Sequence, residues 1–326
     1  MKFTRFLLKR LAFFLVTMWL VVTLTFVLIR CLPGSPFNSG KMVHPQILNN
    51  LNTKYGLDKP FYEQYLRYIK NLVKGDLGIS MIYKNRSVAS IIKRAFPVSL
   101  DLGVRALVLA AFVGLLLGLM STLYSNKALD HIISVTIMIA VSMPGFVAGA
   151  LFQYFLCYRL SVLIQSITGV RYSVFPNTGW EGFRSTVAPT MALAAGVMGM
   201  VAKMLRTSMK DVLDQNYIVM SRAKGLNKRE VVLRHALKNA LLPLLSISGP
   251  LVSSIIMGSF VIENIFSIPG LGRYFVSSVQ DKDYTMVLGL AVFSVFIVVL
   301  INTITDILYA VVDPRVCIES KDRLKT

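Results

Sequence analysis

The chain has 326 residues, of which 55% are hydrophobic, and 35 Lys and Arg against 16 Asp and Glu give it a formal net charge of +19. Its long uncharged runs exclude an intrinsically disordered chain and exceed what a soluble domain needs. The basic residues surround these apolar runs, so the charge indicates membrane topology and contact with lipid headgroups rather than nucleic-acid binding. The composition predicts an all-α integral membrane protein.

The first predicted element is a membrane span over residues 11–29, which carry no charge and follow a short basic tail. Nineteen residues are enough to cross a hydrocarbon core of about 30 Å. A signal peptide is the alternative, but Arg30-Cys31-Leu32-Pro33 is not a small-residue cleavage site. Cys31, Cys157 and Cys317 are too far apart in the predicted topology to form a disulfide or a metal site.

Residues 30–105 are predicted to form a long segment outside the membrane. It begins with the helix-breaking sequence Pro33-Gly34-Ser35-Pro36. An amphipathic pattern follows, and a turn at Gly75-Asp76-Leu77-Gly78 closes it. The apolar positions of that pattern are Tyr65, Leu66, Ile69, Leu72 and Val73.

Three further spans are predicted over residues 106–124, 132–158 and 187–202. Pro144-Gly145 is expected to kink the second of these. The third has only 16 residues and is rich in Ala, Gly and Met, which predicts a tightly packed interior helix. Residues 159–186 are predicted to be an outer loop.

The longest polar interruption in the C-terminal half is the basic stretch from Tyr217 to Pro243. Its local signals predict a helix, a turn and a second helix. Gly225 suits the left-handed conformation that ends a helix, and Asn227 suits the next N-cap. Glu230, three residues later, completes a capping-box pattern. Val231, Leu233, Leu237 and Leu241 are predicted to give the second helix its apolar contacts.

The last two spans are predicted over residues 240–262 and 284–305, with the latter continuing to about residue 312. Pro243 and Pro250 join Pro144 and Gly145 as candidate hinges. Asn302 and Asp306 are intramembrane polar residues that either line a path or pack the helices, and packing is favoured. Glu263 is expected at the surface of the outer end of the fifth span.

The basic stretch resembles the loop that inner-membrane ABC permeases place against their ATPase, in the form found in peptide and nickel permeases. The residues that carry the likeness are 221–226 (Ser-Arg-Ala-Lys-Gly-Leu) and 235–243 (His-Ala-Leu-Lys-Asn-Ala-Leu-Leu-Pro). The wider consensus has Glu-Ala-Ala where this chain has Val219, Met220 and Ser221. Segments typical of the oligopeptide/dipeptide permease type also occur after the first span, Gly56-Leu57-Asp58-Lys59-Pro60 and Gly75–Ser80, and at Asp313-Pro314-Arg315.

The resemblance implies a type I importer permease with six transmembrane helices and both termini in the cytoplasm. It implies a second permease, two cytoplasmic ATPases that use ATP and Mg²⁺, and an extracytoplasmic solute-binding protein. This chain is expected to bind no cofactor itself. Within the loop, small residues would allow close docking, basic ones would pair with acidic groups, and Leu226 would be an apolar anchor. The predicted coupling residues are Tyr217, Ser221, Arg222, Ala223, Lys224, Gly225 and Leu226.

Counting Lys and Arg supports this topology, with 18 in the predicted inner segments against five in the short outer loops. The long outer segment holds 12, but long loops cross the membrane largely regardless of their charge. The predicted domains are a tail and first span (1–29), an extracytoplasmic segment (30–97), a permease domain (98–312) with its coupling loop (206–239), and a cytoplasmic tail (313–326).

The sequence contains no phosphate-binding GxxxxGK[ST] loop, no GxSxG or HExxH motif and no His/Cys cluster, so no catalytic or metal site is predicted. The function that the resemblance implies is peptide import across the inner membrane. Nickel or another small solute is an alternative substrate, although the predicted spans lack His. A stand-alone secondary transporter is a further alternative, but inverted repeats and buried midplane charges are not visible.

Overall fold

The structure is a computed structural model that describes residues 2–31, 37, 44–83, 85–125, 127–170 and 173–312. For residues 2–9, 258, 259 and 309–312 it describes the backbone alone. The predicted break at residues 33–36, Cys317 and the tail at residues 313–326, including Asp313-Pro314-Arg315, lie outside this range.

Apart from one antiparallel bridge between Ile79 and Ser87, the described residues form helices and the turns that connect them. Two helices contain π-helical turns, at Gln153–Arg159 in α6 and at Val231–Ala236 in α9. The helices are α1 (Lys2–Cys31), α2 (Pro45–Tyr55), α3 (Phe61–Val73), α4 (Val88–Leu123), α5 (Ala128–Ser142), α6 (Gly145–Thr168), α7 (Gly182–Leu213), α8 (Asn216–Ala223), α9 (Lys228–Glu230, Val231–Ala236 and Leu237–Ala240), α10 (Leu242–Ile265), α11 (Leu271–Gln280) and α12 (Tyr284–Val312).

Six of these helices, α1, α4, α6, α7, α10 and α12, are long and apolar enough to cross a membrane. Helix α4 has 36 residues. At 1.5 Å per residue it is about 54 Å long, well beyond a hydrocarbon core of about 30 Å. It begins at Val88, inside the segment predicted to lie outside the membrane. Helix α12 ends at Val312, as predicted.

The predicted third span, residues 132–158, is not one kinked helix. Helix α5 ends at Ser142, Met143 and Pro144 are extended, and α6 begins at Gly145 and runs to Thr168. Pro144 has no N–H to donate and disfavours helical geometry at Met143, so the chain breaks there. The span-length helix is therefore α6, and the first part of the predicted outer loop, residues 159–168, is helical.

The fourth span is twice as long as predicted, with 32 residues against 16. Its position as an interior helix is confirmed. In its most apolar 18 residues, 56% are buried, compared with 17–33% in the corresponding stretches of the other five spans. Small residues on α7 allow this close packing. Arg184 and Lys203, which flank the predicted span of residues 187–202, lie within the helix.

The chain divides into two compact units. The first comprises Met1–Val98 and Gly270–Val299, and the second comprises Ser99–Pro269 and Leu300–Thr326. Helices α4 and α12 each contribute residues to both units.

The first unit is organised around the buried carboxylate of Asp283, which precedes α12. This carboxylate accepts hydrogen bonds from the Ser80 hydroxyl, from the N–H groups of Met81 and Ile82, and from the Met286 N–H at the start of α12. The Tyr55 hydroxyl donates to the Ser80 carbonyl at 3.1 Å. Burial, and then the charge of Asp283, raise the pKa of Tyr55, so that this phenol stays a proton donor. The turn that closes the predicted amphipathic segment is thus fixed to the last span.

Aromatic packing holds α3 against α1 in the same unit. The Phe26 ring lies 5.4 Å from the Tyr65 ring and 6.0 Å from the Tyr68 ring, and Phe26 is buried. The helix predicted from the amphipathic pattern is confirmed, but Leu66 and Val73 are exposed rather than packed.

In the second unit, Gly114 and Gly118 bring α4 into contact with the backbone of α7. A Cβ on Gly114 would lie 2.8 Å from the Met198 carbonyl oxygen, and one on Gly118 would lie 2.9 Å from that of Ala202. This four-residue spacing of glycines is typical of close helix contacts in membranes. Sequence analysis noted the small residues of α7 but missed the glycine pair on its partner.

Replacing Gly118 with alanine is therefore expected to destabilise the protein by about 1–3 kcal/mol, since the new methyl group meets backbone atoms that cannot move aside. Thermal denaturation in detergent measures the effect. Gly196→Ala on α7 is the matched control, because its Cβ would meet its nearest neighbour at an ordinary 3.9 Å. Equal melting temperatures for the two variants would contradict the close contact of α4 and α7.

Candidate functional site

The basic stretch forms the helix, turn and second helix that its sequence predicts. Helix α8 ends at Ala223, and Gly225 takes a φ of +83°, the left-handed conformation that glycine adopts without strain. The Asn227 side chain accepts a hydrogen bond from the Glu230 N–H at 2.9 Å. The Glu230 carboxylate accepts one from the Asn227 N–H at 3.3 Å. This reciprocal pair is the predicted capping box, and it fixes the angle between the two helices.

One face of this segment is buried against the end of α7. Ile218 of α8 and Val231 and Val232 of α9 pack with Leu205 and Met209 of α7. Burying each large aliphatic side chain contributes about 1.5–3 kcal/mol, so the cluster seats the segment firmly. Leu237 and Leu241 pack against the cluster as predicted. Leu233 is exposed, so its predicted apolar contact is wrong, because the π-helical turn shifts the spacing of residues 231–236.

The opposite face is exposed and joins apolar and basic side chains. Met220 is 62% exposed and Val219 55% exposed, although both occupy a polar stretch of sequence. Leu226, the predicted apolar anchor, is half-buried against the segment's own cluster. The predicted coupling residues that do reach the surface are Tyr217, Arg222, Ala223, Lys224 and Gly225, whereas Ser221 is half-buried.

Three side-chain hydrogen bonds brace this segment, two to neighbouring residues and one between its own two helices. The Lys228 ammonium donates to the Leu123 carbonyl at the end of α4, at 2.8 Å, and to the Ser125 hydroxyl at 3.1 Å. The Asn239 amide donates to the Tyr217 hydroxyl at 2.7 Å, which joins α9 to the start of α8. A cation at a helix C-terminus also complements the helix dipole.

A buried ionic cluster next to this segment escaped sequence analysis. The Asp130 carboxylate at the start of α5 is bound by Arg206 of α7, whose Nη2 lies 3.1 Å and 3.2 Å from the two carboxylate oxygens. The Ser121 hydroxyl of α4 donates to the same carboxylate, and Arg206 Nε lies 2.6 Å from that hydroxyl. The cluster thus connects three helices beside Leu205. The one sequence signal was a carboxylate between apolar spans.

The described residues of this segment form a solvent-facing helix that is seated on α7. Among the residues that the structure describes, no group of three or more His, Cys, Asp or Glu is placed to hold a metal ion.

Comparison with known proteins identifies the family. Residues 114–317 match the family of the binding-protein-dependent transport system inner membrane component, and residues 3–103 match the N-terminal part of such membrane components. The chain belongs to this permease family. It is accordingly a multi-pass inner membrane protein that acts in transport and not as an enzyme. ATPase and binding-protein partners are general features of ABC permeases of this kind.

Full-length relatives of this permease are permease proteins of peptide transport systems. The dipeptide transport system permease protein DppB of Lactococcus lactis is 39% identical over 96% of this chain and 99% of its own length. DppB of Bacillus subtilis is 38% identical over 97% and 99%. The oligopeptide transport system permease protein OppB of Haemophilus influenzae is 37% identical over 96% and 99%.

Solved structures support the permease fold. An inward-facing structure of the MetNI methionine ABC transporter matches 69% of this chain and 97% of its own, with a TM-score of 0.53 and 17% identity. The crystal structure of an amino acid ABC transporter with histidines matches 68% and 94%, with a TM-score of 0.52 and 16% identity. At these identities the likeness concerns the fold, a type I permease bundle.

The predicted hinges of the permease occupy three different positions. Pro144 and Gly145 lie at the break between α5 and α6. Pro243 lies in the first turn of α10, where its missing N–H leaves no hydrogen bond unmade. Pro250 lies inside α10 and removes one backbone hydrogen bond there. Pro97 in α4 and Pro189 in α7 lie inside helices as well and were not predicted as hinges.

The polar residues of the last span face a close helix contact. Asn302 and Asp306 are half-buried in α12. A Cβ on Gly249 of α10 would lie 2.7 Å from Asn302 Oδ1 and would also meet the Thr305 hydroxyl. Asn302 thus lies close to the backbone of α10 at Gly249, whereas the packing role favoured for Asp306 stays a prediction.

The prediction that Glu263 lies at the surface is wrong, because this residue is fully buried near the end of α10. The chain folds back over it there, with the Ile268 N–H donating to the Glu263 carbonyl at 2.7 Å. Gln153 of α6 also donates to the nearby Ile265 carbonyl at 3.1 Å. These contacts cover the short connection after the span.

Proposed function

We propose that this chain is the membrane-spanning permease subunit of an ATP-driven importer of dipeptides and oligopeptides. The observation that carries the proposal is the segment of residues 216–240, which presents a firmly seated helix with an exposed apolar and basic face. The permease proteins reported above, which are named for dipeptide and oligopeptide transport, support the substrate class.

The segment's role is mechanical. An ATPase that closes on nucleotide moves a lever docked in its cleft, and a helix transmits that movement only if it is held rigidly. The buried cluster and the capping box supply this rigidity. Met220 and Val219 are placed to enter an apolar cleft, and Arg222 and Lys224 to pair with acidic groups at its rim. Gly225 permits close approach because it has open space around it.

The proposed assembly contains a second permease, two cytoplasmic ATPases and an extracytoplasmic solute-binding protein. ATP and Mg²⁺ are bound by the ATPases, and this chain binds no cofactor. Substrate arrives from the binding protein at the outer face. The translocation path lies between the two permease subunits.

The proposed orientation places both termini and residues 206–239 in the cytoplasm, in agreement with the excess of Lys and Arg in those segments. Residues 30–97 then lie outside, with the first turns of α4 projecting from the membrane. The permease domain spans residues 98–312, and residues 313–326 form a cytoplasmic tail.

Met220→Glu tests the docking face. The new carboxylate would have no partner in an apolar cleft, so we expect it to weaken ATPase binding at least tenfold. A tenfold loss of affinity corresponds to about 1.4 kcal/mol of binding free energy. Co-purification from detergent-solubilised membranes and peptide uptake by cells measure the effect. Met220→Leu, which keeps the apolar surface, is the matched control and is expected to behave as wild type.

The proposal is wrong if Met220→Glu retains its ATPases and its uptake, or if the wild-type chain purifies alone. Retained ATPases together with uptake of another solute, but not of peptides, would contradict the substrate class alone.

A further inference from the structure

The first unit contains a cavity that the proposed transport function does not use. Its volume is about 270 Å³. For comparison, about 150 Å³ is enough to hold a benzene molecule. The cavity lies where the end of α1 and the start of α12 meet α2 and α3, and the turn at residues 76–81 completes it.

The polar lining of the cavity is strongly basic. Arg30, Lys54, Lys59 and Arg67 line it, together with a single carboxylate, Asp76. That carboxylate accepts a hydrogen bond from the Gly78 N–H at 2.8 Å, within its own turn. The cavity therefore has a positive potential that favours an anion.

The Arg30 side chain, which lines the cavity, is held in place by two aromatic rings. Its guanidinium carbon lies 5.3 Å from the centre of the Phe26 ring and 5.1 Å from that of the Tyr284 ring. Such cation–π contacts orient the group and leave its N–H donors available. Its buried Nε has no hydrogen-bond partner among the described residues.

A second buried donor lies in the same cavity. The Tyr68 hydroxyl has no partner within the described part of the chain, and burial raises the pKa of this phenol, so it keeps its proton. A buried donor without an acceptor costs about 1–3 kcal/mol. One of these two donors is on Arg30, itself one of the four lining cations, and together they indicate a missing ligand that carries several acceptor oxygens. The buried Gln64 Oε1 of the same lining also has no partner among the described residues, which a hydroxyl on that ligand would supply.

We propose that the cavity binds the phosphate headgroup of an anionic membrane lipid. A phosphate accepts hydrogen bonds from an arginine fork and from a phenol together, and Arg30 and Tyr68 supply these. The floor of the cavity includes Phe26 and Leu288, which belong to the spans. Leu24 and Leu28 are exposed on the same helix as Arg30, so acyl chains can follow α1 into the bilayer.

The apolar surroundings favour a lipid over free phosphate, since a free ion would leave that surface without a partner. Basic pockets at the ends of transmembrane helices are a known mode of lipid headgroup recognition. The inference needs only the membrane spans, so it does not depend on the substrate, on the direction of insertion or on ATPase docking.

The test uses the full-length chain in detergent and native mass spectrometry to count retained lipids. Phosphatidylglycerol is the probe, dioleoylglycerol is the phosphate-free comparison, and inorganic phosphate in excess is the competitor. We expect one phosphatidylglycerol per chain, no retained dioleoylglycerol, and no displacement by inorganic phosphate. Displacement of the lipid by inorganic phosphate would contradict the proposal that the bound phosphate belongs to a lipid. Equal retention of dioleoylglycerol would contradict the proposal that the cavity binds a phosphate.

Two variants locate the site. Arg30→Gln is expected to weaken phosphatidylglycerol binding at least tenfold. Arg30 is packed between two rings, so its replacement also changes packing. Two of the exposed cations that line the cavity, called the rim, are therefore tested separately by the double variant Lys54→Gln with Arg67→Gln. This variant is expected to weaken phosphatidylglycerol binding about thirtyfold. Lys70→Gln with Lys74→Gln removes two exposed charges from the end of α3 that do not line the cavity. Equal affinities for the rim and control variants would overturn the proposal.

Discussion

Replacing Arg206 with alanine is expected to lower the free energy of unfolding by about 3 kcal/mol. The change removes the cation from the buried Asp130 carboxylate, and an unpaired buried charge costs more than the pair itself contributes. The side chain of Arg206 is 34% exposed and that of Asp130 only 7%, so the carboxylate bears most of the loss. This places the effect at the lower end of the range for buried pairs. Thermal denaturation in detergent measures it.

The double variant Asp130→Ala with Arg206→Ala separates charge from packing. It removes the stranded carboxylate and is expected to be more stable than Arg206→Ala alone. Lys203→Ala, an exposed cation one turn earlier on α7, is the control and should change stability by less than about 0.5 kcal/mol. A double variant as unstable as the single one would show that the cluster acts through packing.

Replacing Asp283 with alanine is expected to cost about 3 kcal/mol or more in the first unit. The carboxylate accepts four hydrogen bonds, from Ser80, Met81, Ile82 and Met286, and the substitution leaves these donors without it. Each buried donor left unsatisfied costs about 1–3 kcal/mol, although relaxation of the turn recovers part of the loss. The melting temperature and the yield of folded protein measure the effect.

Two further substitutions give this prediction its controls. Asp281→Ala removes an exposed carboxylate two residues earlier and should be nearly neutral. Asp283→Ser keeps an N-cap for α12 and should recover about 1 kcal/mol, but not the contacts to the Ser80 turn. Equal stabilities for Asp281→Ala and Asp283→Ala would contradict the anchoring role of Asp283.

Features set by neighbours in the chain could be predicted from the sequence. The turn at Gly225 and the capping box of Asn227 and Glu230 depend on residues within one helical turn of each other, so their pattern is visible directly. Uncharged length likewise predicted most of the spans. The break at Pro144 was visible only in part, because its residues permit either a kink or a full stop and tertiary packing decides between them.

Features set by distant residues could not be predicted. Arg206 and Asp130 are 76 positions apart, and Ser80 and Asp283 are 203 apart. The sequence alone does not pair residues so widely separated. Burial of Glu263 also depends on the returning chain. In the segment of residues 216–240, the sequence predicted the helix, the turn and the second helix but not the exposure of Leu233, because the π-helical turn changes the period after residue 230.

The ties made by Lys228 and by the buried cluster decide how force would pass through the bundle. The segment of residues 216–240 is supported at more than one place, by the Leu123 carbonyl at the end of α4, which accepts from Lys228 of α9, and by buried residues of α7 that pack against both α8 and α9. In the proposed role, a push on Met220 would be shared among several spans at once. Such a joint would favour rigid rocking of whole helices over the bending of one, with little of the movement lost in local deformation.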